Sequence, residues 1–139
     1  MLIVQGNKEY FDRVGWRCAI EDIIEYFFPT LKGEEITFSF YWKRFDKKVK
    51  YVGYHAFDVA TLTHKLDVVM NLFDYDNLDY INTILHELRH TEQYKNGDTE
   101  PTSRYKGSAY WNHPKEVDAR AFAEKHQDEA LALVKEYLA

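Results

Sequence analysis

Apolar residues along this chain keep two different periods, and the change between them divides the sequence into elements. Ala19, Ile20, Ile23, Ile24, Phe27 and Phe28 recur at helical spacing and Pro29 closes the run, so the pattern predicts an amphipathic helix over roughly 17–28. From Ile36 the period drops to two. Ile36, Phe38, Phe40 and Trp42 alternate with Thr37, Ser39 and Tyr41, the mark of a half-buried strand. Asp46-Lys47-Lys48 reads as a turn, Val49 to His55 as a second strand, and Leu66 to Phe73, rich in β-branched and apolar residues, as a third.

Helical spacing then returns. Asp74, Asp76 and Asn77 offer caps for a helix from about 78 to about 95, which Asn96-Gly97 ends. Residues 97–112 carry Gly97, Pro101, Ser103, Gly107 and Ser108 and read as a long irregular connection. Pro114 suits a first helical position, and Val117, Ala121, Phe122, Ala123, Leu131, Val134 and Leu138 continue a C-terminal helical region, with Lys125 to Glu129 as a candidate break. The expectation is a single α+β domain over residues 1–139. Its small, mostly antiparallel sheet of three or slightly more strands packs on the N-terminal helix and on the helix of residues 78–95.

Composition narrows the function classes. At 139 residues, 45% hydrophobic and 17% aromatic, the chain can bury a core without staples. A net charge of −5 argues against binding nucleic acid backbones, which asks for a basic surface. Lys43, Arg44, Lys47, Lys48 and Lys50 do cluster, but a charged hairpin guarding a sheet edge explains them. The one cysteine, Cys18, excludes an internal disulfide or a cysteine-built zinc site, and its apolar helical context marks it as filler. The six isolated glycines build no phosphate-cradling loop. The apolar start Met1 to Val4 is too short for a signal peptide, and no stretch is long enough for a membrane span, so a soluble, cytoplasmic protein without membrane contact is expected.

The chemistry concentrates in His86-Glu87-Leu88-Arg89-His90. Histidines four apart on a helix project about 40° from one another, with Cβ atoms some 5–6 Å apart, so two imidazoles can converge on one ion. Glu87 points about 100° around the helix and can reach a water beside that ion without ligating it. A chance match to this spacing would arise in roughly 2% of chains of this composition, which makes coincidence a weak rival. On the helical wheel Ile81, Ile84, Leu85 and Leu88 form one stripe, and the histidines lie about 170° from it. The greasy side should face the sheet, leaving the histidines for something in the C-terminal half to cover. With no cysteine pair, the ion would be a divalent metal held by His and carboxylate, and zinc fits best.

In this motif the sequence resembles the zincin metallopeptidases. Glu116-Val117-Asp118-Ala119 resembles the downstream glutamate helix of the gluzincin branch, in a minimal form like bacterial and phage-encoded domains. The likeness spans about residues 35–126. It implies a zincin-like fold, with Glu116 as third zinc ligand beside His86 and His90, Glu87 as general base, and the cytoplasm of a bacterium or phage-infected host as its setting. It further implies cleavage of a protein or peptide whose extended segment pairs with the strand Leu66–Phe73. The chain departs from the family at Arg89 and Glu92, where uncharged and apolar residues are usual. It departs again at Arg120, where many relatives carry an acidic or amide residue that steadies a histidine. Gln93 and Asn96 stand where the metzincin branch has Gly and His.

Read from the residues alone, Glu116 is also a good third-position helix residue, Asp118 points about 160° away from it as an alternative ligand, and His113 is a further candidate ligand that a loop or capping role explains better. Tyr105 and Tyr110 could donate to an oxyanion, although with eleven tyrosines in the chain packing explains either one better. His55, His64 and His126 have no partner spacing and read as structural. The rival to a zinc-dependent hydrolase is a degenerate, non-catalytic interaction module in which the metal only staples the fold.

Overall fold

The computed structural model describes residues 2–6, 13–42, 53–70 and 76–138. The strands are β1 (Leu2–Gly6), β2 (Ile36–Trp42), β3 (Gly53–Asp58) and β4 (Thr63–Met70). The helices are α1 (Arg13–Phe27), α2 (Asn77–Lys95), the short α3 (Ser108–Trp111) and α4 (Pro114–Val134). Three 3-10 turns follow α1, precede α3 and end the chain.

The α+β class is as expected, and the sheet corrects the rest. Among the described residues it has four strands in the order β1-β2-β4-β3, a size within the expectation, but it is mixed and not mostly antiparallel. β1 runs parallel to β2 and β2 parallel to β4, while β3 and β4 form the antiparallel hairpin. Parallel neighbours need a crossover connection, which α1 supplies between β1 and β2. β4 therefore lies inside the sheet, flanked on both sides over His64–Val68, so this segment is not the edge on which a substrate strand was expected to pair. The edges are β1 and β3, and the outer side of β3 meets no other strand among the described residues. β4 starts at Thr63, three residues before its expected start at Leu66, and β3 is described from Gly53. The expected turn at 46–48, residues 49–52 and 71–73, Asp74 and the basic cluster at Lys43, Arg44, Lys47, Lys48 and Lys50 lie outside the described residues.

Alternation makes the sheet two-sided. Ile36, Phe38, Phe40, His64, Leu66 and Val68 are buried on one face under the helices, while Ile3 and Lys65 on the other are exposed. Ile20, Ile23 and Phe28 of the α1 region and Ile81, Ile84, Leu85 and Leu88 of α2 complete a single core, with both helix stripes inward as their spacing predicts. α2 starts in a capping box, where Asp76 accepts from the Asp79 amide at 3.0 Å and Asp79 accepts from the Asp76 amide at 2.9 Å. It ends at Gly97, whose φ of +102° suits glycine.

α4 is continuous through Lys125–Glu129, so the expected break there is absent. Its buried face is made of Ala119, Ala123, Ala130 and Val134, small enough to let the helix lie close along α2. That approach carries the first turn of α4 to the histidine face of α2. No helix among the described residues is long and apolar enough to cross a membrane.

Candidate metal centre

α2 turns His86 and His90 away from the core, half-buried, and the first turn of α4 covers them. There Glu116 is 1% exposed, a degree of burial that a carboxylate reaches only with partners. Its Oε2 lies 2.6 Å from His90 Nε2 and its Oε1 3.4 Å from His86 Nε2. The two Nε2 atoms are 3.1 Å apart. Two imidazole nitrogens and a carboxylate oxygen form the one group of three potential ligands gathered among the described residues. Bonds of about 2.0–2.1 Å in a tetrahedron set neighbouring donors about 3.4 Å apart. The 3.1 and 3.4 Å separations lie close to that edge, the 2.6 Å contact of His90 with Glu116 is a hydrogen bond that must lengthen to admit an ion, and the nitrogen and oxygen donor set suits zinc.

The two other candidate ligands are occupied elsewhere. Asp118 accepts from Arg89 Nε at 2.7 Å and from Arg89 Nη2 at 3.1 Å, a bidentate tie between α4 and α2. His113 caps α4, its Nδ1 accepting from the Lys115 amide at 3.2 Å, and the Tyr105 ring packs against it. The departures from the zincin pattern have structural employment too. Arg89 pairs with Asp118 and Glu92 and lies over the Phe122 ring, while Arg120 donates to the Trp111 carbonyl at 2.6 Å and lies 3.6 Å from the centre of that indole.

The electrostatics follow from burial and neighbours. Burial works against charge on Glu116, but hydrogen bonds from His86, His90 and Tyr110 hold it far below the usual carboxylate range. Burial also disfavours the imidazolium of His90, yet its hydrogen bond to Glu116 and the fields of Glu87 and Glu116 raise its pKa overall. Glu87 is itself buried, and burial pushes its pKa up, the histidines opposing and Glu116 and Asp67 assisting. Tyr110 is raised by burial and by its hydrogen bond to Glu116. Its hydroxyl therefore supports the carboxylate, while Tyr105 donates to Glu100 outside the centre.

A cavity of about 360 Å³ opens over the centre, with Glu87, His90 and Glu116 on its floor and His55, Phe57, Tyr94 and Pro101 among its walls. β3 reaches this floor because its first residue has no side chain. A Cβ on Gly53 would come within 2.5 Å of Thr83 Cγ2 and 3.0 Å of Glu87 Cγ.

His55, left as structural by sequence reasoning, has a partner that reasoning did not find. It stands on the hairpin with its Nε2 3.1 Å from His64 Nδ1, and burial, with the fields of His64, His90 and Lys115, lowers its pKa to about 3. The available signal was hairpin register, since His55 faces Leu66 on the same side as His64. His126 packs between the tilted rings of Phe27 and Phe122, a structural place as expected. Compared with known proteins, the chain matches no family model, no curated protein and no solved structure.

Proposed function

We propose that this protein is a zinc-dependent hydrolase, a zincin-like metallopeptidase, with His86, His90 and Glu116 as the ligands and Glu87 as general base. The observation that carries the reading is the convergence of those three donors beneath an open cavity that Glu87 also lines. A zinc ion held there supplies Lewis acidity for the cleavage of an amide bond. The chain's own residues do the rest. Glu87 takes a proton from the attacking water, a task its raised pKa suits better than an ordinary carboxylate would. Tyr110 and Thr102 hold the Glu116 carboxylate in place by donating to it. An extended peptide adds to the outer edge of β3, which runs beside the cavity, in place of the β4 segment first expected. The open cavity favours this reading over a metal that only staples the fold, where four protein ligands would close the site.

Replacing Glu87 separates the two readings. Glu87→Gln is expected to retain one zinc per chain and to lose peptide hydrolysis by about 10²–10⁴-fold. Unchanged turnover with zinc bound removes Glu87 as the base, and a wild-type chain that holds zinc but cleaves neither casein nor simple amides leaves only the interaction module.

A further inference from the structure

The ring of His90 is held at both nitrogens. Nε2 faces His86 and Glu116, while Nδ1 lies 2.7 Å from the side-chain oxygen of Gln93. Which end of an amide faces a ring is settled by what its other end touches. Gln93 Nε2 donates to the Lys115 carbonyl at 3.0 Å and to Asp118 Oδ2 at 2.9 Å, two acceptors that an amide oxygen could not face. The oxygen therefore points to His90, and Nδ1 must carry a proton to satisfy it. Nε2, which donates to Glu116, is then the nitrogen that gives up its proton and turns its lone pair to a metal that binds.

The same amide has a second effect. Lys115 directly precedes Glu116, so the bond to its carbonyl ties the helix of the second histidine to the chain carrying the carboxylate. Asp118 is fixed in turn by Arg89, which sits one residue before His90, and the bonds close on the turn of α2 where they began. The position four after Glu116, where the zincin likeness directs attention, does none of this, because Arg120 is spent on Trp111.

We infer that Gln93 is the positioning residue of the metal centre: it sets the protonated side of His90 and holds Glu116 beside it. The inference rests on the reading of the site as a zinc centre, and its test keeps the two apart. Zinc affinity is measured by competition with a chromophoric chelator, and the His90 Nδ1–H is followed by nitrogen-15 NMR in the zinc-loaded protein. The chains compared are wild type, Gln93→Leu, Gln93→Glu and Asn82→Ala.

Gln93→Leu is expected to weaken zinc binding about 10–100-fold and to expose the Nδ1–H to rapid exchange. Gln93→Glu keeps the acceptor for His90 but loses both donations, so it should retain the protected N–H while binding zinc less tightly; it also serves if the leucine chain does not fold. Asn82→Ala removes a 2.9 Å amide bond to Gln127 between the same two helices, away from the centre, and should leave both readouts unchanged. Equal losses in Asn82→Ala and Gln93→Leu would reduce Gln93 to helix docking and overturn the inference. So would wild-type affinity in Gln93→Leu, or wild-type affinity in Gln93→Glu with the N–H signal gone. A wild-type chain that takes up no zinc overturns the metal centre itself, and this inference with it.

Discussion

His86 and His90 approach to 3.1 Å between ring nitrogens, and so do His55 and His64, yet the two pairs live in opposite surroundings. The first pair lies one turn apart on α2, meets the buried Glu116, and raises no conflict between charge and burial because an anion accompanies it. The second bridges the β3–β4 hairpin and is ringed by Phe57 and Tyr94. Burial depresses both of its members, His55 to about 3, and among the described residues no carboxylate completes a group of three with them. Histidine proximity is thus common to a candidate ligand set and to a core contact. What separates them is the partner that compensates charge.

The sharpest way to break this contrast is to remove one ring from each pair. His90→Ala is expected to lower zinc affinity by more than about 100-fold, beyond the 10–100-fold that a lost supporting partner costs, whereas His64→Gln keeps zinc stoichiometric. Metal analysis after gel filtration reads both, and zinc lost from the His64 variant would make the hairpin pair part of the centre. Next in size is Gly53→Val, which forces β3 away from Thr83 and Glu87. A loss of about 1–3 kcal/mol in urea unfolding is expected, typical of overpacking, together with reduced turnover.

The acid response of the hairpin pair is smaller. Folding keeps His55 neutral down to about pH 3, whereas the unfolded chain protonates it near the ordinary value of about 6.5. Its contribution to stability is therefore whole above pH of about 6.5 and declines as pH falls toward 3. His55→Gln should flatten the dependence of urea midpoint on pH within that window, and an unchanged slope would contradict the buried neutral ring. Smallest is Asp118→Asn. Because Asp118 is well exposed and its bond to Arg89 is screened, roughly 0.5–1 kcal/mol of stability should go while zinc stays bound. Zinc released by this change would return Asp118 to the ligand set.

Local chemistry was legible in the sequence where it depended on spacing within one helix. Four-residue spacing placed His86 and His90 together, and the wheel correctly turned Leu85 and Leu88 inward. Glu116 and Asp118 could not be ranked by such reasoning, because both lie on the first turns of α4 and only the docking angle on α2 decides which one meets the histidines. The sheet order escaped for a related reason. A period of two tells which face of a strand is buried but not which strand lies beside it, so β4 was taken for an edge. β1 was overlooked because five residues carry too little alternation to register. Gln93, three residues past His90, stood at a helical-neighbour spacing that would have exposed its role had the partner on α4 been known.

Lys115 gives the centre an internal gauge. Its side chain is buried, and its ammonium donates to the carbonyls of Asp98 and Glu100, which fastens the segment that walls the cavity to the residue next to Glu116. An amine so enclosed is expected to meet acylating reagents more slowly than a surface lysine, and faster whenever that wall lifts. The rate at which it becomes labelled therefore clocks how often the cleft breathes, from inside the protein and without any added probe.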